Sequence, residues 1–368
     1  MEEAAPVRSS THLDSLDGIR AVAIAGVFLL HIGRAYFPGG AFGVDVFFLL
    51  SAFLITNILL SEVHHQGRID FRGFYWRRFF RLAPALILWL AFIAPPTAVL
   101  AHEAGKIPWS TTGALFYFND FLEAKTQLVV AAYDQSWSLA IEEQFYFVWP
   151  VLCLLCVTRL PRSMQQRTVL ALVIGSAVIS YKIGNYFLPS GHLVPLALGA
   201  WAAFWSVQSR DKSRLAPLFR DVRVAVGCGA VFAVALLSAP AGLGGYSLSL
   251  LVDLAALALV LHCVLNVSSG ASRALRGGVP RWIGQRSYGI YLYGLTLMQL
   301  IPSVTHLSLH FAAPLDVVVT AIVVAISFRY VESPIRFRGR NWLSERGEDG
   351  GPTEIATGIE VAPVQSDQ

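Results

Sequence analysis

An all-α membrane bundle of about ten transmembrane helices, with both termini cytoplasmic, is the fold the sequence predicts. Three observations predict it. The chain of 368 residues is 55% hydrophobic and 14% charged, where soluble domains carry about 25% charged residues. Apolar runs close to the ~20 residues that span a bilayer recur along nearly the whole length. Basic residues fall in blocks between those runs.

Eleven apolar segments can be marked, at about 18–37, 41–61, 79–100, 108–122, 137–157, 168–188, 192–207, 222–239, 246–266, 287–305 and 312–332. The first is no cleavable signal peptide, because no small-residue cleavage site follows it and further spans do. Arg68, Arg72, Arg77, Arg78 and Arg81 crowd one connection, and Arg159, Arg162 and Arg167 another. Arg210, Lys212, Arg214, Arg220 and Arg223 form a third block, followed by Arg273, Arg276, Arg281 and Arg286, then Arg336, Arg338 and Arg340. Basic loops stay in the cytoplasm. All of these blocks reach one side only if 108–122 does not cross; it is short, begins with Pro108 and ends in Asn119 and Asp120.

The expected organisation is a cytoplasmic segment at 1–12, one membrane domain at 13–338, and a disordered cytoplasmic tail at 339–368, acidic and rich in Gly and Pro. A plasma-membrane location follows, with membrane lipids as neighbours. No fixed-period repeat and no nucleic-acid motif is present. Cys153 and Cys156 form a C-x-x-C with no second Cys/His pair at ligand spacing. They read as packing residues, and no metal site is expected.

Ionisable groups inside apolar spans are functional candidates by default. Arg20 and His31 share one face of the first helix, roughly 16 Å apart along its axis; a snorkelling arginine and a histidine satisfied by a neighbouring helix fit the spacing equally well. Asp45 opens the second helix at the level of His31, as a dipole-favoured terminal charge or a site residue. Glu142 and Glu143 lie in the first turns of the 137–157 helix, and an imidazole near carboxylates in a dry cavity is the arrangement of a general base. Arg78 and Arg81, three apart among Phe74, Tyr75, Trp76, Phe79 and Phe80, suit a polyphosphate, as guanidinium pairs phosphate bidentately. An interfacial topology anchor explains them as well.

Together these segments resemble the membrane acyltransferase-3 family. The resemblance rests on ordered motifs across residues 13–338: LDGIRAVAIAGVFLLH (Leu16–His31), GVDVFFLLSAFLI (Gly43–Ile55), FYWRRFFRLAPA (Phe74–Ala85), WSLAIEEQFYFVWP (Trp137–Pro150), IGQRSYGIYL (Ile283–Leu292) and YVESPIR (Tyr330–Arg336). It implies ten helices and O-acyl transfer, with acyl-CoA as co-substrate and no permanently bound cofactor. The acceptor implied is a hydroxyl of a glycan, a lipid-linked sugar or a small molecule such as a macrolide. By motif position, His31 is the expected base, with Arg20 and Glu142 as its catalytic partners. Arg77, Arg78 and Arg81 are the expected donor-phosphate residues, and Asp45, Trp137, Ser138, Glu143 and Tyr146 the expected substrate-binding ones. Two positions depart from the family pattern: Ala52 replaces a usual glycine, crowding close helix packing, and Gly294 replaces a common histidine.

A covalent route through Ser138 or His31 stays open beside direct transfer. From another class, a transporter of an acylated or polar solute would use the same intramembrane charges, although the two halves show no hydropathy symmetry of the kind transporter repeats leave. A structural scaffold would leave Arg20, His31 and Glu142 replaceable.

Overall fold

The computed structural model describes residues 11–100, 102, 104–126, 128–208, 215–238, 242–306 and 309–345, and every regular element among them is helical. In chain order these are α1 (Thr11–Ile32), α2 (Phe42–Gln66), α3 (Phe71–Leu88), α4 (Ala94–Leu100), α5 (Ile107–Leu115) and α6 (Asn119–Lys125). There follow α7 (Ser136–Arg159), α8 (Arg162–Ile183), α9 (Leu193–Gln208), α10 (Ala216–Arg220), α11 (Val222–Leu236) and α12 (Gly242–Leu265). The last six are α13 (Gly270–Leu275), α14 (Gly278–Gln285), α15 (Ser287–Gly289), α16 (Leu295–Thr305), α17 (Leu309–Ser327) and α18 (Ser333–Glu345).

Among the described residues six stretches are long and apolar enough to cross a membrane, by length and composition: Asp14–Ile32, Pro38–Gln66, Phe71–Leu100, Ala131–Arg159, Ser247–Leu265 and Phe311–Glu345. α9 and α11 are apolar but shorter. The chain is a helical membrane protein. The 108–122 segment is no single span: α5 and α6 turn back on one another at Tyr117, whose φ is +57°. A nine-residue helix rises only about 14 Å. The hairpin is pinned by Asn119, which donates to the Ser110 carbonyl (2.9 Å) and to Ser136 Oγ (2.6 Å).

Local chemistry sets the boundaries. Gly67 takes a left-handed conformation (φ +69°) to end α2, a position that favours glycine. Asp70 then caps α3 by accepting from the Gly73 amide at 3.0 Å. π-Helical turns at Trp89–Ile93, Ile290–Gly294 and Phe328–Glu332 join α3 to α4, α15 to α16 and α17 to α18. Such turns re-aim side chains and recur at functional sites.

The core is centred on α2, most of which is buried and which packs closely on α9. A Cβ at Gly199 would stand 2.2 Å from the Leu49 carbonyl oxygen and 3.0 Å from Ala52 Cβ. Ala52 is therefore tolerated because its opposite number on α9 is the residue without a side chain. Cys153, Cys228 and Cys263 are buried in this core and all four cysteines are free, in keeping with a packing role. At the end of the described chain, residues 339–345, expected at the head of a disordered tail, continue α18. Gly339 lies against the Phe80 ring, Leu343 is buried, and Trp342 packs edge-on to Trp76, which fixes the helix on α3. Residues 1–10 and 346–368 lie outside the described residues.

Candidate functional site

All the expected site residues but Arg77 fall into four groups, and the grouping differs from the one their order along the chain suggests. The first lies between α3 and α7. Glu142 and Glu143 are adjacent on α7, and Arg78 reaches across from α3. Its guanidinium donates to Glu143 Oε1 through Nε (3.0 Å) and a terminal nitrogen (2.8 Å). The same guanidinium stands 3.8 Å from Glu142 Oε1 and 3.0 Å over the Tyr146 ring. Glu142 Oε1 accepts from the hydroxyls of Ser51 and Tyr146. The phenols of Tyr117 and Tyr288 lie within electrostatic reach of both carboxylates. One turn back on α7, Ser138 Oγ and the Tyr291 hydroxyl share a 2.7 Å hydrogen bond.

The second group is cationic. Arg81 is one turn beyond Arg78 on α3 and open to solvent. Its charged neighbours are Arg20 from α1, Arg336 from α18 and Arg78. Arg286, between α14 and α15, lies 4.2 Å over the Phe328 ring, and Arg336 lies 5.7 Å from the centre of the same ring. The Nε atoms of Arg20, Arg286 and Arg336 are buried without a hydrogen-bond partner among the described residues. Two carboxylates face this set, Asp17 beside Arg20 and Arg81, and Glu332 beside Arg286 and Arg336. Four guanidiniums against two carboxylates leave an excess positive charge in a partly dry place, with N–H donors still to be used. Phosphate oxygens complement such an arrangement. Arg77 does not join it, since it turns the other way to pair with Glu62.

The third group is His31 alone, in the last turn of α1. Its Nδ1 is 2.8 Å from the Val27 carbonyl oxygen. A carbonyl only accepts, so Nδ1 carries the proton and the neutral ring keeps a free lone pair on Nε2. Among the described residues no carboxylate hydrogen-bonds to His31; its charged neighbour is Arg34.

The fourth group sits where α2, α9 and α12 meet. Asp45 Oδ1 lies 2.6 Å from His192 Nδ1 and its Oδ2 accepts from Ser249 at 3.4 Å. His192 Nε2 donates to the Tyr186 carbonyl at 2.8 Å. Trp137 stacks on the imidazole at 5.3 Å. Asp253 is 2% exposed and within electrostatic reach of Asp45, with its Oδ1 unpartnered among the described residues.

Asp45, Glu142 and His31 thus do not converge. Asp45 serves His192, Glu142 serves two hydroxyls, and His31 is oriented by its own helix. Arg20 stands with Arg81 midway along α1, about three turns from His31. Sequence reasoning passed over His192, Tyr117, Tyr288, Tyr291, Arg286 and Arg336. A signal existed for some of them. His192 is the first residue of an apolar segment, while Arg286 and Arg336 sit inside recognised motifs but were weighed only as topology charges. No group of three or more His, Cys, Asp or Glu able to hold a metal occurs among the described residues.

Comparison with known proteins identifies the family. The acyltransferase-3 model, described as an acyltransferase domain, matches residues 13–331. YrhL of Bacillus subtilis (strain 168), provisionally named a peptidoglycan O-acetyltransferase, is 30% identical over 359 residues. OatA of Staphylococcus aureus (strain NCTC 8325), named an O-acetyltransferase, is 27% identical over 351. These alignments cover 91% and 90% of this chain but only 56% and 58% of the relatives, so the chain spans little more than half of their length. No solved structure matches it.

Proposed function

The chain belongs to the acyltransferase-3 family, and from that premise we propose that it is a plasma-membrane O-acyltransferase that moves an acetyl or short acyl group from acyl-CoA to a hydroxyl of a glycan. The observation that carries the donor is the four-arginine group with unused N–H donors around Arg20, about three turns before His31 on α1. We place this group on the cytoplasmic side of His31 in a ten-crossing bundle with both termini inside, as the basic loops favour. The name of YrhL, a peptidoglycan O-acetyltransferase, supports the acceptor class, and both names support acetyl transfer to oxygen.

Acyl-CoA enters from the cytoplasm and sets its phosphates among Arg20, Arg81, Arg286 and Arg336. Arg78, held by Glu143, shapes the adjoining wall instead of binding phosphate. The acyl arm extends along α1 across the roughly 16 Å that separates Arg20 from His31. At the far end the acceptor hydroxyl loses its proton to His31 Nε2 as its oxygen attacks the thioester carbonyl. The C–S bond breaks, and the imidazolium returns that proton to the departing thiolate. The Nδ1–H bond to Val27 O holds the ring in the tautomer this needs, a task carboxylates perform in other histidine bases.

Equilibrium binding of CoA to the full chain in nanodiscs tests the donor assignment. Arg20→Ala and Arg81→Ala should each weaken CoA at least tenfold, and rising salt should weaken the unaltered protein further. Wild-type protein that fails to bind CoA, or variants that bind it undiminished, would overturn the reading.

A further inference from the structure

Among the phenols around the two glutamates, one is both buried and unmatched. Tyr146 donates to Glu142, Tyr291 shares a bond with Ser138, and Tyr293 donates to Ala85 O or Ser327. The Tyr288 hydroxyl is buried with no hydrogen-bond partner among the described residues. A buried hydroxyl left unmatched is destabilising, and where one persists it calls for a partner that the folded chain itself does not supply.

Its place along the bundle indicates what arrives. Gly284 packs against the backbone of Asp17, and Gly294 against the Phe28 ring. Tyr288 lies between them in the chain, in α15 just after the break at Arg286, so its level on α1 falls between those of Asp17 and Phe28. It stands two residues beyond Arg286, whose guanidinium belongs to the arginine group, and within reach of Glu142 and Glu143. It therefore lies on the arginine side of His31, well short of the reacting carbonyl.

The geometry points to Tyr288 as the donor of a hydrogen bond to the pantetheine arm of acyl-CoA, at the carbonyl of the amide nearer the diphosphate. This inference rests on the acyl-CoA reading above. An extended arm anchored at Arg20 and Arg81 and ending at His31 passes the Tyr288 level with its amide groups. An amide carbonyl only accepts, and a phenol supplies the matching O–H. The residue holds the arm at a fixed depth and takes no part in proton transfer. It distinguishes a pantetheine thioester from a bare nucleotide bisphosphate.

Two probes separate the contributions: coenzyme A, and adenosine 3′,5′-bisphosphate, which keeps phosphates but lacks the arm. Binding of each to full-length protein in nanodiscs is measured for wild type and Tyr288→Phe. The expected result is a Kd for CoA raised about tenfold, with the bisphosphate affinity unchanged. Equal weakening of both ligands would mean the change acts through Arg286, and no weakening of CoA would mean the hydroxyl does not meet the arm; either overturns the inference. Wild type that binds neither probe instead refutes the acyl-CoA reading and the inference with it. Ligand-free Tyr288→Phe should unfold at a midpoint no lower than wild type, because the lost hydroxyl had no partner. A lower midpoint, or failure to fold, would show a structural hydrogen bond there and sink the argument at its first step.

Discussion

Replacing Glu143 by glutamine separates two adjacent carboxylates that the sequence presents as a pair. Glu143 takes both donated bonds from Arg78, at 3.0 and 2.8 Å, while Glu142 is 3.8 Å from the same guanidinium and accepts from two neutral hydroxyls. The Arg78 and Glu143 side chains are 10% and 15% exposed, so the pair is largely shielded from water. Removing one partner of a buried pair costs about 3–5 kcal/mol, because the other charge is left uncompensated. The residual attraction of Glu142 brings Glu143→Gln to the lower end, about 3 kcal/mol. Glu142→Gln keeps an acceptor for Ser51 and Tyr146, so about 1 kcal/mol is expected. Reversible denaturant unfolding of the reconstituted protein measures both. Combining Arg78→Met with Glu143→Gln should recover much of the loss, since the uncompensated charge is gone. The reasoning is refuted if Glu142→Gln costs as much as Glu143→Gln, or if the double variant is no more stable than Glu143→Gln alone.

Other expectations follow from single features. Burial pushes the Asp120 carboxyl up to about 6, above its unfolded value of about 3.9. The folded protein then keeps a proton that the unfolded chain releases, so stability falls by up to about 3 kcal/mol as pH rises from about 4 to about 6. Asp120→Asn should remove that slope from the pH profile of the unfolding midpoint. Gly199→Ala sets a methyl against the backbone of Leu49 and Phe53, where nothing flexible can give way; a loss of about 1–3 kcal/mol in denaturant unfolding is expected. His192→Phe strips Asp45 of its imidazole beside Asp253, at a cost of about 3 kcal/mol. Adding Asp45→Asn should recover part of it in the same assay.

The helical membrane fold was legible because apolar length is a one-dimensional property and the bilayer fixes the length required. The break at 108–122 was legible too, from Pro108, Asn119 and Asp120. Pairings across helices were not. Arg20 and His31 share a helix face in the sequence, yet the arginines of α3 and α18 claim Arg20, at a distance along the chain that no spacing rule reaches. Asp45 reads as a partner for His31 because both sit at the same depth; which of several helices lies between them is set by packing such as Gly199 on Leu49. His192 escaped notice because it belongs to no motif and gains its meaning only when α9 packs on α2. The helical continuation of 339–345 was hidden by its charge, since Arg338 and Arg340 share the turn with the residues that anchor it, Gly339 and Trp342.

The most direct test of the central claim uses isotopically labelled acetyl-CoA with the full chain in nanodiscs and a peptidoglycan-derived glycan acceptor, comparing wild type with His31→Ala and His31→Gln. Label transfer by wild type, lost at least a hundredfold in both variants while CoA still binds, is the result the account predicts. Transfer that persists in either variant would contradict His31 as the base. Wild-type protein that binds CoA yet transfers no label to any hydroxyl would contradict acyl transfer itself.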